Sequence, residues 1–212
     1  MDKVDALTLT KEMDDRITEA AGIIKAGGLV AFPTDTVYGL GVNPFNREAV
    51  ERIYLVKQRP GNLPLPVLLP DRNEVYSVAS EISPAALSLM ERFWPGGLTI
   101  ILHKSAGFPD YATAKSVTIA VRVPDHIVPV MLMKKAGVPV IGTSANLSNL
   151  PSALTAQEVQ KQLGGKVDLI VDGGKCPGGI ESTLVDMTGP EPVIIREGAV
   201  SGEEINLFLR RG

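Results

Sequence analysis

The chain has 212 residues, 44% hydrophobic and 21% charged, which suits an ordinary globular protein of one domain or two small ones. Its formal net charge of −3 excludes a global basic footprint for nucleic acid, and its one cysteine, Cys176, excludes an intrachain disulfide and a cysteine-rich zinc site. The N-terminal MDKVDALTLTKEMDD lacks the apolar core of a signal peptide, and no apolar run approaches the ~20 residues of a membrane helix, so a cytoplasmic protein without membrane association is expected.

Residues 1–8 read as an extension before a domain over 9–212. Thr10 can cap a helix whose Ile17, Ala20, Ala21 and Ile24 follow i, i+3, i+4, i+7 spacing, and Gly27-Gly28 stops it. The apolar run 29–32 predicts a buried strand. Asn46 caps a second helix, with Val50, Ile53 and Tyr54 on one face, ending near Lys57. A short strand follows at 67–69. Ser83-Pro84 is a cap with proline at the first helical position, opening a helix to about Phe93. Gly96-Gly97 precedes a strand at 98–102.

Residues 117–123 alternate cleanly. Val117, Ile119, Val121 and Val123 share one face; Thr118, Ala120 and Arg122 share the other. A helix is expected at 127–135 and a strand at 138–141. Thr155 with Glu158, and Ser201 with Glu204, have capping-box spacing. Strands at 169–171, 183–185 and 193–195 complete the pattern. Interleaved helices and strands predict one α/β domain with a twisted, mixed sheet. Several strands follow one another through short loops, which argues against strict Rossmann order. The glycine-rich stretch 172–181, DGGKCPGGIE, is expected to be mobile.

Familiar site motifs are missing. No GxGxxG follows 29–32, and the chain has no GxxxxGK[ST], HExxH or GxSxG. His103 and His126 lack ligand patterns around them, so structural or surface roles are expected and no metal ligands are assigned. Lys57, Arg59, Arg122 and Arg196 sit beside turns or strand ends. Arg122 stands on an apolar strand and needs an anionic partner. The loop Gly142-Thr143-Ser144-Ala145-Asn146-Leu147-Ser148 offers three hydroxyls and an amide after a buried strand, where ligands of α/β proteins commonly bind. Taken alone, it is equally a capping or Asx-turn loop.

The blocks PTDTVYGLG, KQRP, WPGGLTIIL, the strand ending at Arg122, TSANLS, ESTLVD and IIREG stand in this order. Together, from Leu29 to about Ser201, they resemble the YrdC-like family of threonylcarbamoyl-AMP synthases. The lysine-x-arginine and serine-x-asparagine pairs of that family correspond to Lys57/Arg59 and Ser144/Asn146. The resemblance implies a single YrdC-like α/β domain, a twisted mixed sheet with helices packed on it and an open concave cleft. The further C-terminal domain of longer relatives is not expected in a chain stopping at Gly212.

The activity implied is synthesis of L-threonylcarbamoyl-adenylate from L-threonine, bicarbonate and ATP, with release of pyrophosphate. The product would serve threonylcarbamoylation of adenosine 37 in tRNA. ATP would meet Arg59, Leu63, Thr118, Ser144, Asn146, Ser152 and Arg196, and Mg²⁺ would accompany it. L-Threonine would meet Thr34, Leu68, Arg122, Gly142 and Ser182. Lys57 and Arg59 are the implied catalytic cations. Downstream threonylcarbamoyl transferase proteins, and a weak contact with tRNA, are the implied partners. Many relatives carry asparagine and histidine where this chain has Leu63 and Leu68, so these two positions can offer only backbone or van der Waals contact. Residues 173–179 would form a lid protecting an unstable carbamate.

Two other readings remain open from sequence. An RNA- or nucleotide-binding module would use converging Lys57, Arg59, Arg122 and Arg196; the 5% aromatic content argues against it. The related carbamoyl-adenylate chemistry of hydrogenase maturation comes in much longer chains with zinc-finger-like cysteines.

Overall fold

The structure, a computed structural model, describes residues 9–210; the expected extension at 1–8 lies outside them. Among the described residues, ten strands form one mixed sheet. They are β1 (Val30–Phe32), β2 (Gly39–Val42), β3 (Val67–Leu68), β4 (Ala79–Ser80), β5 (Leu98–Lys104), β6 (Thr118–Arg122), β7 (Val140–Ser144), β8 (Leu169–Ile170), β9 (Thr183–Asp186) and β10 (Val193–Arg196). Their order is β10-β9-β5-β6-β3-β7-β2-β1-β8, with β4 paired to β5 off this path. The pairs β1/β8, β3/β6 and β5/β9 are parallel and the other pairs antiparallel, so the expected mixed sheet is found and no Rossmann order exists.

Among the described residues, seven α-helices accompany the sheet: α1 (Lys11–Lys25), α2 (Arg47–Lys57), α3 (Val75–Val78), α4 (Pro84–Phe93), α5 (Ile127–Ala136), α6 (Ala156–Leu163) and α7 (Gly202–Leu209). Six of them begin at a side-chain cap. Thr10, Asn46, Ser83, His126, Thr155 and Ser201 each accept a backbone N–H of the first turn. The two expected capping boxes close only halfway. Glu158 accepts from Leu154 N, one residue before the cap, and Glu204 turns to Arg92 instead.

Side-chain alternation sends the two faces of the sheet into separate cores. Val30, Phe32, Leu68 and Val140 meet α1 and α5 on one side. Leu29, Ala31, Val67, Leu69 and Ile141 meet α2, α4 and α6 on the other. Strands covered on both faces read as continuous apolar runs, which is why 29–32 shows no alternation. Strand β6 does alternate, with Ile119 and Val121 buried, but Val117 falls outside it and is 77% exposed.

Two strands, β2 and β4, and the one-turn α3 were not expected. Strand β2 consists of Gly-Leu-Gly-Val, and its place depends on ladders to β1 and β7 on either side. A Cβ on Gly41 would stand 2.6 Å from both the Phe32 ring and Val140.

Candidate active site

A cavity of about 70 Å³ opens where β2, β3, β6 and β7 meet the turn after β1 and the segment entering β9. All five residues expected around L-threonine line it: Thr34, Leu68, Arg122, Gly142 and Ser182. Ser144 and Arg196 from the expected ATP set line the same cavity. Thr36, Thr99 and Glu181 also line it and were not singled out in the sequence.

The turn after β1 is built around one hydroxyl. Thr34 Oγ1 donates to Val37 O at 2.7 Å and accepts from Thr36 N at 3.1 Å and Val37 N at 3.3 Å. This turn presents Thr36 Oγ1 and the Asp35 carboxylate to Arg122. Arg122, only 6% exposed, donates through Nη2 to Asp35 Oδ1 at 2.6 Å, through Nη1 to Thr36 Oγ1 at 2.9 Å and through Nε to Gly96 O at 2.9 Å. The anionic partner that the alternation of β6 demanded is therefore Asp35. Three of five guanidinium N–H groups are engaged, leaving one on each terminal nitrogen.

The cavity floor follows from the sheet. Gly142 lies beside the Leu68 side chain, and a Cβ there would stand 2.5 Å from Leu68 Cδ1. Gly142 thus makes room for the leucine. Leu68 lines the cavity with a hydrocarbon surface, as its side chain requires. Ser182 shares a hydrogen bond of 2.7 Å with Thr99, so the two hydroxyls are paired at the cavity wall.

At the other end, Glu181 spans two expected nucleotide contacts. Its Oε1 accepts from Ser152 Oγ at 2.8 Å, and its Oε2 accepts from Arg196 Nη1 at 2.6 Å. Arg196 also donates to Ser182 O at 2.9 Å.

Lys57 and Asn146 are placed differently from a surface cation and a surface amide. Lys57 is 2% exposed and lies off the cavity lining. Its Nζ donates to Ser144 O, to Asn146 O at 2.8 Å and to Asn146 Oδ1 at 3.3 Å. Burial, and then the charge of Arg59, lower its pKa to about 8, while Glu181 pulls the other way. The ammonium therefore stays protonated at neutral pH, held among oxygens. Asn146 Nδ2 donates to Leu147 O and Leu150 O at 3.0 and 2.6 Å. The serine-x-asparagine loop is thus braced by Lys57 from below and by Asn146 from within.

Arg59 follows Gln58, which caps α2 in the left-handed region. It makes a hydrogen bond of 3.3 Å to Pro64 O. Among the described residues, Arg59 Nε and Ser148 Oγ are the buried side-chain polar atoms without a hydrogen-bond partner. Ser148 N donates to Lys57 O at 2.9 Å. Leu63 is 43% exposed, and its carbonyl accepts from Tyr54 OH. Thr118 pairs with Ser116 Oγ at 2.8 Å. Leu63, Thr118, Arg59, Asn146 and Ser152 lie outside the cavity lining.

One expectation needs correction. The four cations do not form one exposed basic face: Lys57 and Arg122 are buried, and only Arg122 and Arg196 line the cavity. The glycine-rich stretch 172–181 is docked on the site. Gly179 N donates to Thr36 O at 2.9 Å, Cys176 N to Leu154 O at 2.9 Å, and Tyr38 OH to Gly174 O at 2.8 Å. Gly178 passes so close that a Cβ would stand 2.6 Å from Asp35 O. His103 and His126 take no part in the cavity; His103 meets Thr188 O and His126 caps α5. No group of three or more His, Cys, Asp or Glu that could hold a metal ion occurs among the described residues, and none of their helices is long and apolar enough to cross a membrane.

Comparison with known proteins places these residues in a family. The family model Sua5_yciO_yrdC, described as telomere recombination, matches residues 22–198. The threonylcarbamoyl-AMP synthase of Pyrococcus abyssi is 41% identical over 208 residues, covering 96% of this chain and 61% of the relative. That of Bacillus subtilis is 39% identical over 207 residues, covering 97% of this chain and 60% of the relative. The chain spans about 60% of the length of these curated relatives. The crystal structure of P. abyssi Sua5 complexed with L-threonine matches with a TM-score of 0.89 at 41% identity, over 92% of this chain and 57% of that one. With a family model matching residues 22–198 and relatives about 40% identical over nearly all of its length, the chain belongs to the Sua5/YciO/YrdC family.

Proposed function

We propose that this chain is an L-threonylcarbamoyladenylate synthase: it joins L-threonine, bicarbonate and ATP into threonylcarbamoyl-AMP and releases pyrophosphate. The observation that carries this reading is the convergence of Thr34, Leu68, Arg122, Gly142 and Ser182 on one cavity that also holds Ser144 and Arg196. The names of the relatives, and the L-threonine complex of one of them, point the same way.

The residue chemistry fits the reaction. The substrate carboxylate takes the two N–H groups that Arg122 has left, in a cavity where Asp35 already balances part of the charge. Thr34, Thr36, Thr99 and Ser182 surround the amine and hydroxyl with small polar groups. The amine must be neutral to take up CO₂ or bicarbonate as a carbamate, and a carbamate oxygen then attacks the α-phosphorus of ATP. Positioning and charge neutralisation dominate such a step. Arg59, with its buried Nε unpartnered, has donors to spare for phosphate. Lys57 acts through the loop that it braces, because its three N–H groups are used there. The carboxylates nearest the cavity, Asp35 and Glu181, are already paired with arginines. Mg²⁺ therefore enters as part of the MgATP substrate, held by the phosphates. The docked stretch 172–181 would keep water from the carbamate.

We further assign the product to the threonylcarbamoylation of tRNA adenosine 37 by downstream transferase proteins, with at most weak tRNA contact, in the cytoplasm. The direct test is product identity. Incubation with ATP, L-threonine and ¹³C-bicarbonate should give threonylcarbamoyl-AMP carrying one ¹³C by mass spectrometry. AMP without a threonylcarbamoyl group would refute the assignment.

A further inference from the structure

We propose that Glu181 is a displaceable latch on the nucleotide end of the cavity, holding Arg196 and Ser152 until the phosphates of ATP replace its carboxylate. This inference rests on the synthase reading.

Two arginine–carboxylate pairs flank the cavity, and they are built differently. Asp35 and Arg122 have side chains only 15% and 7% exposed. Asp35 Oδ1 also accepts from Asp125 N at 3.2 Å, so this pair is fixed in the fold. Glu181 and Arg196 have side chains 36% and 48% exposed. Both oxygens of Glu181 are used, one on Ser152 and one on Arg196, and its carboxylate is the cavity-lining one of the two. A group accepting from an arginine and a hydroxyl with two separate oxygens copies the way a phosphate would be held. The carboxylate and a phosphate cannot both occupy that arrangement, because like charges at hydrogen-bond range repel.

The backbone leaves the exchange to the side chain. Glu181 O accepts from Ala199 N at 2.9 Å, and a Cβ on Gly198 would stand 2.2 Å from that oxygen. The peptide at 181 is thus packed tightly on the 198–199 strand exit, whereas the carboxylate reaches out to the exposed Arg196 and the half-buried Ser152. An exposed ion pair is weak enough for a triphosphate to displace. The latch keeps Arg196 and Ser152 in place when ATP is absent and sets a threshold that a weakly charged anion fails to cross.

The test is calorimetric titration of MgATP into the whole protein and into Glu181→Gln, Arg196→Ala and the double variant. Glutamine keeps the size and removes the competing charge, so Glu181→Gln should bind MgATP about two- to fivefold more tightly. Threonine affinity and melting temperature should stay unchanged. Arg196→Ala should weaken MgATP binding, and in that background Glu181→Gln should add nothing. Weaker or unchanged MgATP binding in Glu181→Gln, with Arg196→Ala still harmful, would overturn the latch and leave the synthase reading intact. No effect of Arg196→Ala would instead count against the nucleotide site itself.

Discussion

Arg122→Ala is expected to damage both the fold and threonine binding. The substitution removes bonds to Asp35 Oδ1 at 2.6 Å, Thr36 Oγ1 at 2.9 Å and Gly96 O at 2.9 Å. It leaves the Asp35 carboxylate, 15% exposed, without its cation. Breaking a buried pair from one side costs about 3–5 kcal/mol. At ~2–4 °C per kcal/mol for a domain of this size, the melting temperature should fall by roughly 6–20 °C. The protein should still fold at 25 °C, since domains have about 5–15 kcal/mol in hand. Asp35→Asn in the same background should recover part of the loss, because the orphaned charge is then gone. Loss of the substrate carboxylate contact, worth ~1.5–3 kcal/mol, should weaken L-threonine binding by roughly 10- to 150-fold. Arg122→Lys should rescue only partly, because an ammonium cannot reproduce the planar fork. Scanning calorimetry reads the first effect. Titration of threonine in the presence of a non-hydrolysable ATP analogue reads the second. A melting temperature within about 3 °C of the parent would refute the buried pair, and an unchanged threonine affinity would refute the carboxylate contact.

Arg59→Ala should lower the turnover number by ~10²–10³ with little change in melting temperature, since its side-chain hydrogen bond to Pro64 O is a long one; a stability loss with normal turnover would make it a structural cation. His126 should limit acid stability. Burial holds its pKa below the ordinary 6.5 against the pull of Asp35. Below 6.5 the unfolded chain therefore takes a proton that the folded chain resists, and stability falls with falling pH. His126→Asn, which keeps an oxygen to cap α5, should flatten that part of the denaturation profile between pH 7 and 5. Gly178→Ala should push the 172–181 stretch off Asp35 O, from which the new Cβ would stand 2.6 Å. An overpacking cost of about 1–3 kcal/mol should speed hydrogen exchange at the Gly179 amide by roughly 5- to 150-fold; unchanged exchange would mean that the close approach does not hold the stretch down.

Much of the fold could be read from local patterns. The caps at Thr10, Asn46, Ser83, Thr155 and Ser201 found their helices, because capping depends on three or four adjacent residues. Strand β2 could not be read, because Gly-Leu-Gly-Val has little strand preference and forms only between β1 and β7. In the site, alternation on β6 told that Arg122 faces inward and needs an anion. It could not tell which anion, since Asp35 is 87 residues away in sequence. Lys57 had a signal that a motif-based reading passes over. It lies four residues after Ile53 and seven after Val50, on the buried stripe of α2. That spacing points the ammonium into the protein, toward Ser144 and Asn146, and away from solvent. Glu181 ends a glycine-rich stretch expected to be mobile, and only the folded chain brings it to Ser152 and Arg196.

The proposed synthase reaction consumes threonine, bicarbonate and ATP together. Pyrophosphate release measured with each substrate omitted in turn tests it most directly. Release should require L-threonine, bicarbonate and MgATP together, and omission of any one should return it to background. Pyrophosphate release that continues at the same rate without threonine would contradict it.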